Sequence, residues 1–279
     1  MKSMTKRLLT AAVALPLLFI IIFLLPQMNH IVLECVIVLA ALIGTWEMVQ
    51  IVGKKGRVSR ICYLGALLPL VEWFMRTYNF GTEWTFYSLL GIIGLLIAAE
   101  VFQGAKDNFE TSIDTIGRSV LSTVYPGLFA IFITDLLFTA HPTAYLLLYF
   151  AIVMGADTFA FFSGVAFGKN NKGLVKVSPN KSLAGFIGGT IIPAIIGAAA
   201  FAIWPSIFAM PWWQGAKLGF LTACLAALGD LVESTLKRCS GVKDSGIVIP
   251  GRGGMLDSID SILFAAAPFI ICINVLALI

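Results

Sequence analysis

The sequence predicts an all-α fold, a polytopic membrane helix bundle of about nine transmembrane helices with a cytoplasmic N-terminus. Three observations predict it: composition, the spacing of apolar runs and the placement of basic residues. Of 279 residues, 59% are hydrophobic and 12% are charged, and the mean hydropathy is +0.94. A soluble domain carries roughly 45–50% apolar and about 25% charged residues. So little charge cannot cover a globule of this length, and a bilayer must act as solvent for most of the surface. Nucleic acid is not expected as a partner.

A membrane helix needs about 20 largely apolar residues, and the runs follow in order. The first, 8–25, has a basic start but no small-x-small cleavage pattern after Leu25, so it reads as a retained anchor. The second is 31–52. The third, 61–75, is short enough to be partly re-entrant, and 84–102 and 117–138 are the fourth and fifth. The sixth to eighth, 143–167, 183–208 and 214–236, are rich in small residues such as Gly155, Gly164, Gly188, Gly189, Gly197, Gly219 and Gly229. Small residues let helix backbones approach closely in lipid. The ninth is 257–278. A single membrane domain over 1–279 is expected, with 1–140 mainly N-terminal helices and 141–279 the catalytic portion.

The loops support this alternation. Lys and Arg accumulate on the cytoplasmic side of membrane proteins. With the N-terminus inside, the inner segments hold Lys2, Lys6, Arg7, Lys54, Lys55, Arg57, Arg60, Lys106, Arg118 and the lysines of 169–181, and after them Lys237, Arg238, Lys243 and Arg252. Only Arg76 and Lys217 fall outside. Trp73, Trp84, Trp204, Trp212 and Trp213 lie near outer ends, as an aromatic belt would. Cys35, Cys62, Cys224, Cys239 and Cys272 are scattered without CxxC spacing and read as packing residues. His30 and His141 are the only histidines, and both sit in loops on the outer side.

Polar chemistry concentrates late in the chain. Asp230, Ser234 and Lys237 recur at i, i+4 and i+7, one face of a helix leaving the membrane, and Glu233 and Arg238 accompany them. Lys243, Asp244 and a Pro250-Gly251-Arg252-Gly253-Gly254 turn lead to a second such face with Asp257, Asp260 and Ser261. Carboxylates and hydroxyls without imidazole or thiolate are hard oxygen ligands, suited to Mg²⁺. Lys237, Arg238, Lys243 and Arg252 beside a glycine-rich turn with free N–H groups are what a polyphosphate needs. A second constellation holds Asp157, Ser163, Gly164, Gly168 and Lys169, then Ser178-Pro179-Asn180-Lys181-Ser182. Asp157 lies inside an apolar span, where an acid needs a partner or an ion. The Gly164-x-x-x-Gly168 spacing also fits plain helix packing. Ser178 and Lys181 read as a phosphate-contacting loop, and Glu47, Glu72, Glu100 and Asp135 as structural acids.

The run from Ser234 to Asp260 resembles the signature of the bacterial phosphatidate cytidylyltransferase (CDP-diacylglycerol synthase) family, S-x-x-K-R-x4-K-D-x-G-x3-P-G-H-G-G-x-x-D-R-x-D. Ser234, Lys237, Arg238, Lys243, Asp244, Gly246, Pro250, Gly251, Gly253, Gly254, Asp257 and Asp260 match it. The segments around Asp157 to Lys169 and Ser178 to Lys181 are similar to that family too. The resemblance implies that CTP and phosphatidate give CDP-diacylglycerol and pyrophosphate with Mg²⁺, and it leaves room for a second, monovalent or divalent, cation. It implies a multi-pass protein of the bacterial inner membrane with the active site facing the cytoplasm, and allows a homodimer. Asp230, Asp257 and Asp260 would then be metal ligands; Ser234, Lys237, Arg238, Lys243 and Asp244 would share the catalytic work; and Lys169, Ser178, Lys181, Arg252, Gly253 and Gly254 would bind substrate.

Three positions depart from the pattern. Arg252 stands for the usual His, Ser258 for the usual Arg, and Ala184 for an acid common after the Ser-Pro-x-Lys loop. Arg252 is expected to supply the cation that Ser258 lacks. A CDP-alcohol phosphotransferase would need a D-G-x-x-A-R motif that is absent. A secondary transporter would show paired halves with broken helices, and a non-catalytic homologue is the remaining alternative.

Overall fold

The computed structural model describes residues 2–276, and side chains other than those of 2–9, 11 and 276. Lys2, Lys6 and Arg7, assigned to the inner side above, lie outside the described side chains, and 277–278 of the ninth span lie outside the described residues. Eleven α-helices appear: α1 (Lys2–Leu24), α2 (Gln27–Gly53), α3 (Leu68–Thr77), α4 (Glu83–Gln103), α5 (Ser112–Thr123), α6 (Phe129–Leu136), α7 (Pro142–Phe167), α8 (Leu183–Ile203), α9 (Pro205–Phe208), α10 (Trp212–Cys239) and α11 (Leu256–Leu276). No strand occurs among the described residues, only three isolated bridges in loops.

Among the described residues, seven helical stretches are long and apolar enough to cross a membrane: 27–53, 83–107, 112–136, 142–167, 183–203, 212–239 and 256–275. The protein is a multi-pass membrane protein. The other two expected spans differ in kind. Ala12–Leu24 is apolar but shorter, and 61–75 is a 3-10 segment, Arg60–Leu67, followed by the ten-residue α3. Pro69, in the first turn of α3, cannot donate an N–H, which suits a helix start. Gly65 lets this segment approach Thr123 closely, since a Cβ there would lie 2.6 Å from Thr123 Cγ2 and 2.9 Å from its carbonyl.

The chain divides into two units, Met1–Phe138 with Leu236–Ser258, and Thr139–Thr235 with Ile259–Ile279. In the first, α2 begins through three left-handed residues, Met28, Asn29 and His30, with φ of 49, 51 and 55°. Such residues each cost roughly 1–2 kcal/mol. Trp73 Nε1 donates to the Asn29 carbonyl at 3.0 Å and holds the entry. Trp73 is therefore buried and acts as a strut, unlike the exposed Trp84, Trp204, Trp212 and Trp213. Pro126 has no N–H to continue α5, and a π-turn over Val124–Leu128 joins α5 to α6. Embedded acids here have partners. Arg76 binds Glu72 at 2.6 Å and Asp135 at 2.7 Å, Arg57 pairs with Glu100, and Thr134 donates to Glu34 at 2.8 Å.

In the second unit α7 and α8 touch through small residues. A Cβ on Gly189 would sit 2.8 Å from Ala160 Cβ, and one on Gly185 would sit 2.8 Å from the Ala160 carbonyl. Gly197, Gly215 and Gly219 bring α8 and α10 backbone to backbone in the same way. Tyr149 donates to the Ile262 carbonyl and packs on Phe269, with ring centroids 5.0 Å apart, which ties α7 to α11.

Candidate active site

Helix α10 remains helical well past its apolar stretch, which sets Asp230, Glu233 and Lys237 one turn apart in succession. It stops where Gly241 takes φ +70° and the Val242 N–H returns to the Lys237 carbonyl at 2.9 Å. The following loop doubles back at Ile249 to Gly253, each donating its N–H to the other's carbonyl, with Gly251 and Gly253 at φ +83° and +113°. No side chain tolerates those angles as glycine does. Helix α11 then starts at Leu256 with Asp257 in its first turn, where the helix dipole favours an anion.

In the first unit Asp257 is the hub of a network. Lys237 Nζ bonds Asp257 Oδ1. Oδ2 accepts the N–H groups of Ser245 and Gly254, each at 2.8 Å, and lies 2.9 Å from Ser245 Oγ. Glu47 of α2 joins from the other side: Met255 N donates to Oε1 at 2.8 Å, Leu256 N to Oε2 at 2.7 Å, and Ser245 Oγ lies 2.9 Å from Oε2. A Cβ on Gly254 would run into Ser245 Oγ and both Glu47 oxygens, and one on Gly246 into Glu47 Oε1. These glycines are needed for contacts within the chain itself.

In the second unit Asp230, Glu233 and Asp260 each offer a carboxylate oxygen, all within 4.8 Å of one another. Glu233 and Asp260 are buried and Asp230 is half-buried. Lys181 Nζ pairs with Asp230 Oδ2 at 2.6 Å and donates to the Ala227 carbonyl at 3.4 Å. A Cβ on Gly229 would meet Phe264 Cβ at 2.6 Å and the Asp260 carbonyl at 2.8 Å, so α10 and α11 pack closely where the acids stand. An octahedral ion with bonds of about 2.1 Å spaces its oxygens roughly 3 Å along an edge and about 4.2 Å across. The three carboxylates, with oxygens within 4.8 Å of one another, offer hard oxygen donors of the kind such an ion takes.

Of the three acids expected as metal ligands, Asp230 and Asp260 stand together with Glu233, whereas Asp257 spends its oxygens on Lys237, Ser245 and Gly254; Lys181 joins Asp230. Arg238, Lys243, Asp244, Arg252 and Lys169 are exposed, and Ser178 and Ser234 half-buried. Ser258 Oγ lies 3.3 Å from the Gly254 carbonyl. Gly164 and Gly168 serve packing: a Cβ on Gly168 would strike the Gly164 carbonyl and lie 2.5 Å from Ser182 Oγ, the cap of α8. Asp157 is exposed on α7. Two acids assigned no site role from sequence stand in these networks. Glu233 was visible as a third acid one turn from Asp230. Glu47 carried one signal, an acid in a membrane span.

The family model of the cytidylyltransferase family matches residues 5–276. Phosphatidate cytidylyltransferase of Helicobacter pylori (strain J99) is 38% identical over 156 residues, 53% of this chain and 54% of the relative. That of Haemophilus influenzae is 49% identical over 133 residues, 45% of this chain and 44% of the relative. That of Mycobacterium bovis is 29% identical over 248 residues, 83% of this chain and 76% of the relative. Against the first two, the chain spans about half of the relative's length or less.

Proposed function

The chain belongs to the cytidylyltransferase family, and from that membership we propose that it transfers CMP from CTP to phosphatidate, giving CDP-diacylglycerol and pyrophosphate. The observation that carries the reading is the trio Asp230, Glu233 and Asp260, with oxygens within 4.8 Å and Lys181 beside them. Hard carboxylate donors with an adjacent ammonium suit a metal-bound polyphosphate and no redox or thiol chemistry.

A phosphate oxygen of phosphatidate attacks the α-phosphorus of CTP, and the bond from that phosphorus to the bridging oxygen breaks as pyrophosphate leaves. The attacking oxygen is already anionic at neutral pH, so no side chain need remove a proton. The residues must align two repelling anions and stabilise charge on the leaving group. Asp230, Glu233 and Asp260 would hold Mg²⁺, which supplies Lewis-acid neutralisation of phosphate oxygens. Lys181 offers an ammonium to a phosphate when Asp230 releases it. Lys243, Arg238 and Arg252 are exposed, as cations that meet a soluble triphosphate must be. Arg252 serves as the cation that Ser258 does not provide. Asp257 holds Lys237 and the glycine turn in place. The exposed apolar faces of the membrane helices keep the protein beside its lipid acceptor. The bacterial inner membrane is the proposed location, with the acids on the cytoplasmic side where CTP is found, and a homodimer is the proposed assembly.

Purified protein in detergent with CTP, Mg²⁺ and phosphatidate should release pyrophosphate and form CDP-diacylglycerol. Release without phosphatidate, or none at all from folded protein, would overturn the reading. A transporter or a non-catalytic relative predicts no pyrophosphate.

A further inference from the structure

We infer that Glu47 is a positioning residue for the loop from Lys243 to Met255, and that it reaches Asp257 through the Ser245 hydroxyl. The inference deepens the proposed reaction and rests on it. Glu47 is fully buried in the apolar helix α2, where a carboxylate is costly unless hydrogen-bonded. Its bonds all go to one place. It accepts the N–H groups of Met255 and Leu256 at 2.8 and 2.7 Å, two of the orphan donors that open α11. A helix start is usually capped by a nearby Ser, Thr, Asp or Asn. Met255, just before α11, has no side chain able to do so. The cap comes instead from a residue 209 positions away in sequence. Gly246 and Gly254 leave the space that the Glu47 carboxylate fills.

Ser245 makes the link to Asp257. Its hydroxyl lies 2.9 Å from Glu47 Oε2 and 2.9 Å from Asp257 Oδ2. A hydroxyl has one hydrogen, so it serves one carboxylate at a time. Glu47 keeps two backbone donors, and Asp257 keeps Lys237 and two backbone donors, whichever way the hydrogen points. A change at Glu47 is felt at Asp257 and at Lys237, which Asp257 holds. The same loop carries Lys243, Asp244 and Arg252. A misplacement of 1 Å in such groups costs on the order of 10²-fold in rate.

Glu47→Gln tests this, because the amide keeps the shape but its nitrogen cannot accept an N–H. Pyrophosphate release from CTP and phosphatidate is measured per folded molecule, with hydrogen–deuterium exchange across the chain. The expected result is a kcat/KM lower by tenfold or more, partial rescue in Glu47→Asp, and faster exchange confined to residues 243–257. Wild-type kinetics and unchanged exchange in that segment would overturn the inference. So would a rise in exchange throughout the protein with normal kinetics per folded molecule, the signature of a packing residue alone. Should wild-type protein release no pyrophosphate, the reaction fails as a reading, and the localised exchange still decides the role of Glu47. If Glu47→Gln does not fold, Ser245→Ala cuts the link alone and should also slow turnover tenfold and loosen 243–257. Normal values in both measurements would then count against it.

Discussion

Lys181 Nζ lies 2.6 Å from Asp230 Oδ2, so one ion pair ties the loop after α7 to the carboxylate cluster of α10 and α11. The two side chains are 30% and 38% exposed, and solvent screening limits such a pair to about 0.2–1 kcal/mol of stability. Under the proposed metal reading the pair competes, since the ammonium occupies an oxygen that a divalent cation would use. Lys181→Met should leave the melting temperature in detergent within a few degrees of wild type. It should lower the Mg²⁺ concentration for half-maximal activity, because Asp230 is released, and reduce turnover at least tenfold, because a phosphate contact is lost. A Mg²⁺ titration of pyrophosphate release checks both. Unchanged Mg²⁺ dependence would show that Lys181 does not compete for Asp230.

Glu233→Gln and Asp260→Asn each remove one charge from the cluster and keep its shape. Both residues are buried, and metal-ligating carboxylates contribute several kcal/mol to a transition state. Each variant should lose on the order of 10²-fold or more in turnover and need more Mg²⁺. Retention of normal Mg²⁺ dependence in Glu233→Gln would remove that residue from the ligand set.

Much of this was readable from sequence because lipid imposes simple rules. Seven spans follow from length and hydropathy alone, and Asp230 and Asp260 from acids recurring at helical spacing beside a glycine turn. The close approach of Gly65, in the 61–75 region, to Thr123 was not readable, since the two lie far apart in sequence. The bonds of Glu47 to Ser245, Met255 and Leu256 were not readable, since these partners lie some two hundred residues away. The role of Gly254 was misjudged for the same reason: a free N–H for phosphate and a missing Cβ for Glu47 look alike in sequence.

The Lys237–Asp257 pair is buried, with side chains 11% and 8% exposed. Removing one partner from such a pair leaves an uncompensated charge and costs about 3–5 kcal/mol, whereas replacing both with apolar groups is often neutral. Lys237→Met should therefore be strongly destabilised. Lys237→Met with Asp257→Leu should recover much of the stability but not activity. Thermal unfolding of the three proteins in one detergent gives the comparison. A double variant no more stable than Lys237→Met would show that Ser245 and the glycine turn depend on the Asp257 carboxylate itself.

Gly254→Ala and Gly117→Ala separate packing from backbone freedom. A Cβ on Gly254 would collide with Ser245 and Glu47, whereas one on Gly117, within helix α5, meets nothing within 4 Å. Gly117→Ala should stabilise by roughly 0.5–1 kcal/mol through helix propensity. Gly254→Ala should lose most activity and unfold at lower temperature. Equal behaviour of the two would show that the loop yields to admit a methyl group.

The segment Arg60–Thr77 decides the topology of everything after it. Eight 3-10 residues at about 2.0 Å each and ten α-helical residues at 1.5 Å would reach roughly 31 Å end to end, close to the ~30 Å hydrocarbon core. If the segment crosses, Lys55 and Lys106 lie on one side and Tyr78 on the other. If it folds back, Tyr78 joins Lys55 and Lys106 changes side. All three are exposed, and all five native cysteines are free thiols that can be replaced to give a clean background. Single cysteines at the three positions, probed with an impermeant maleimide in oriented vesicles, should place Lys55 and Lys106 together in the cytoplasm and Tyr78 opposite. Labelling of position 78 from the Lys55 side would reduce the passes by one.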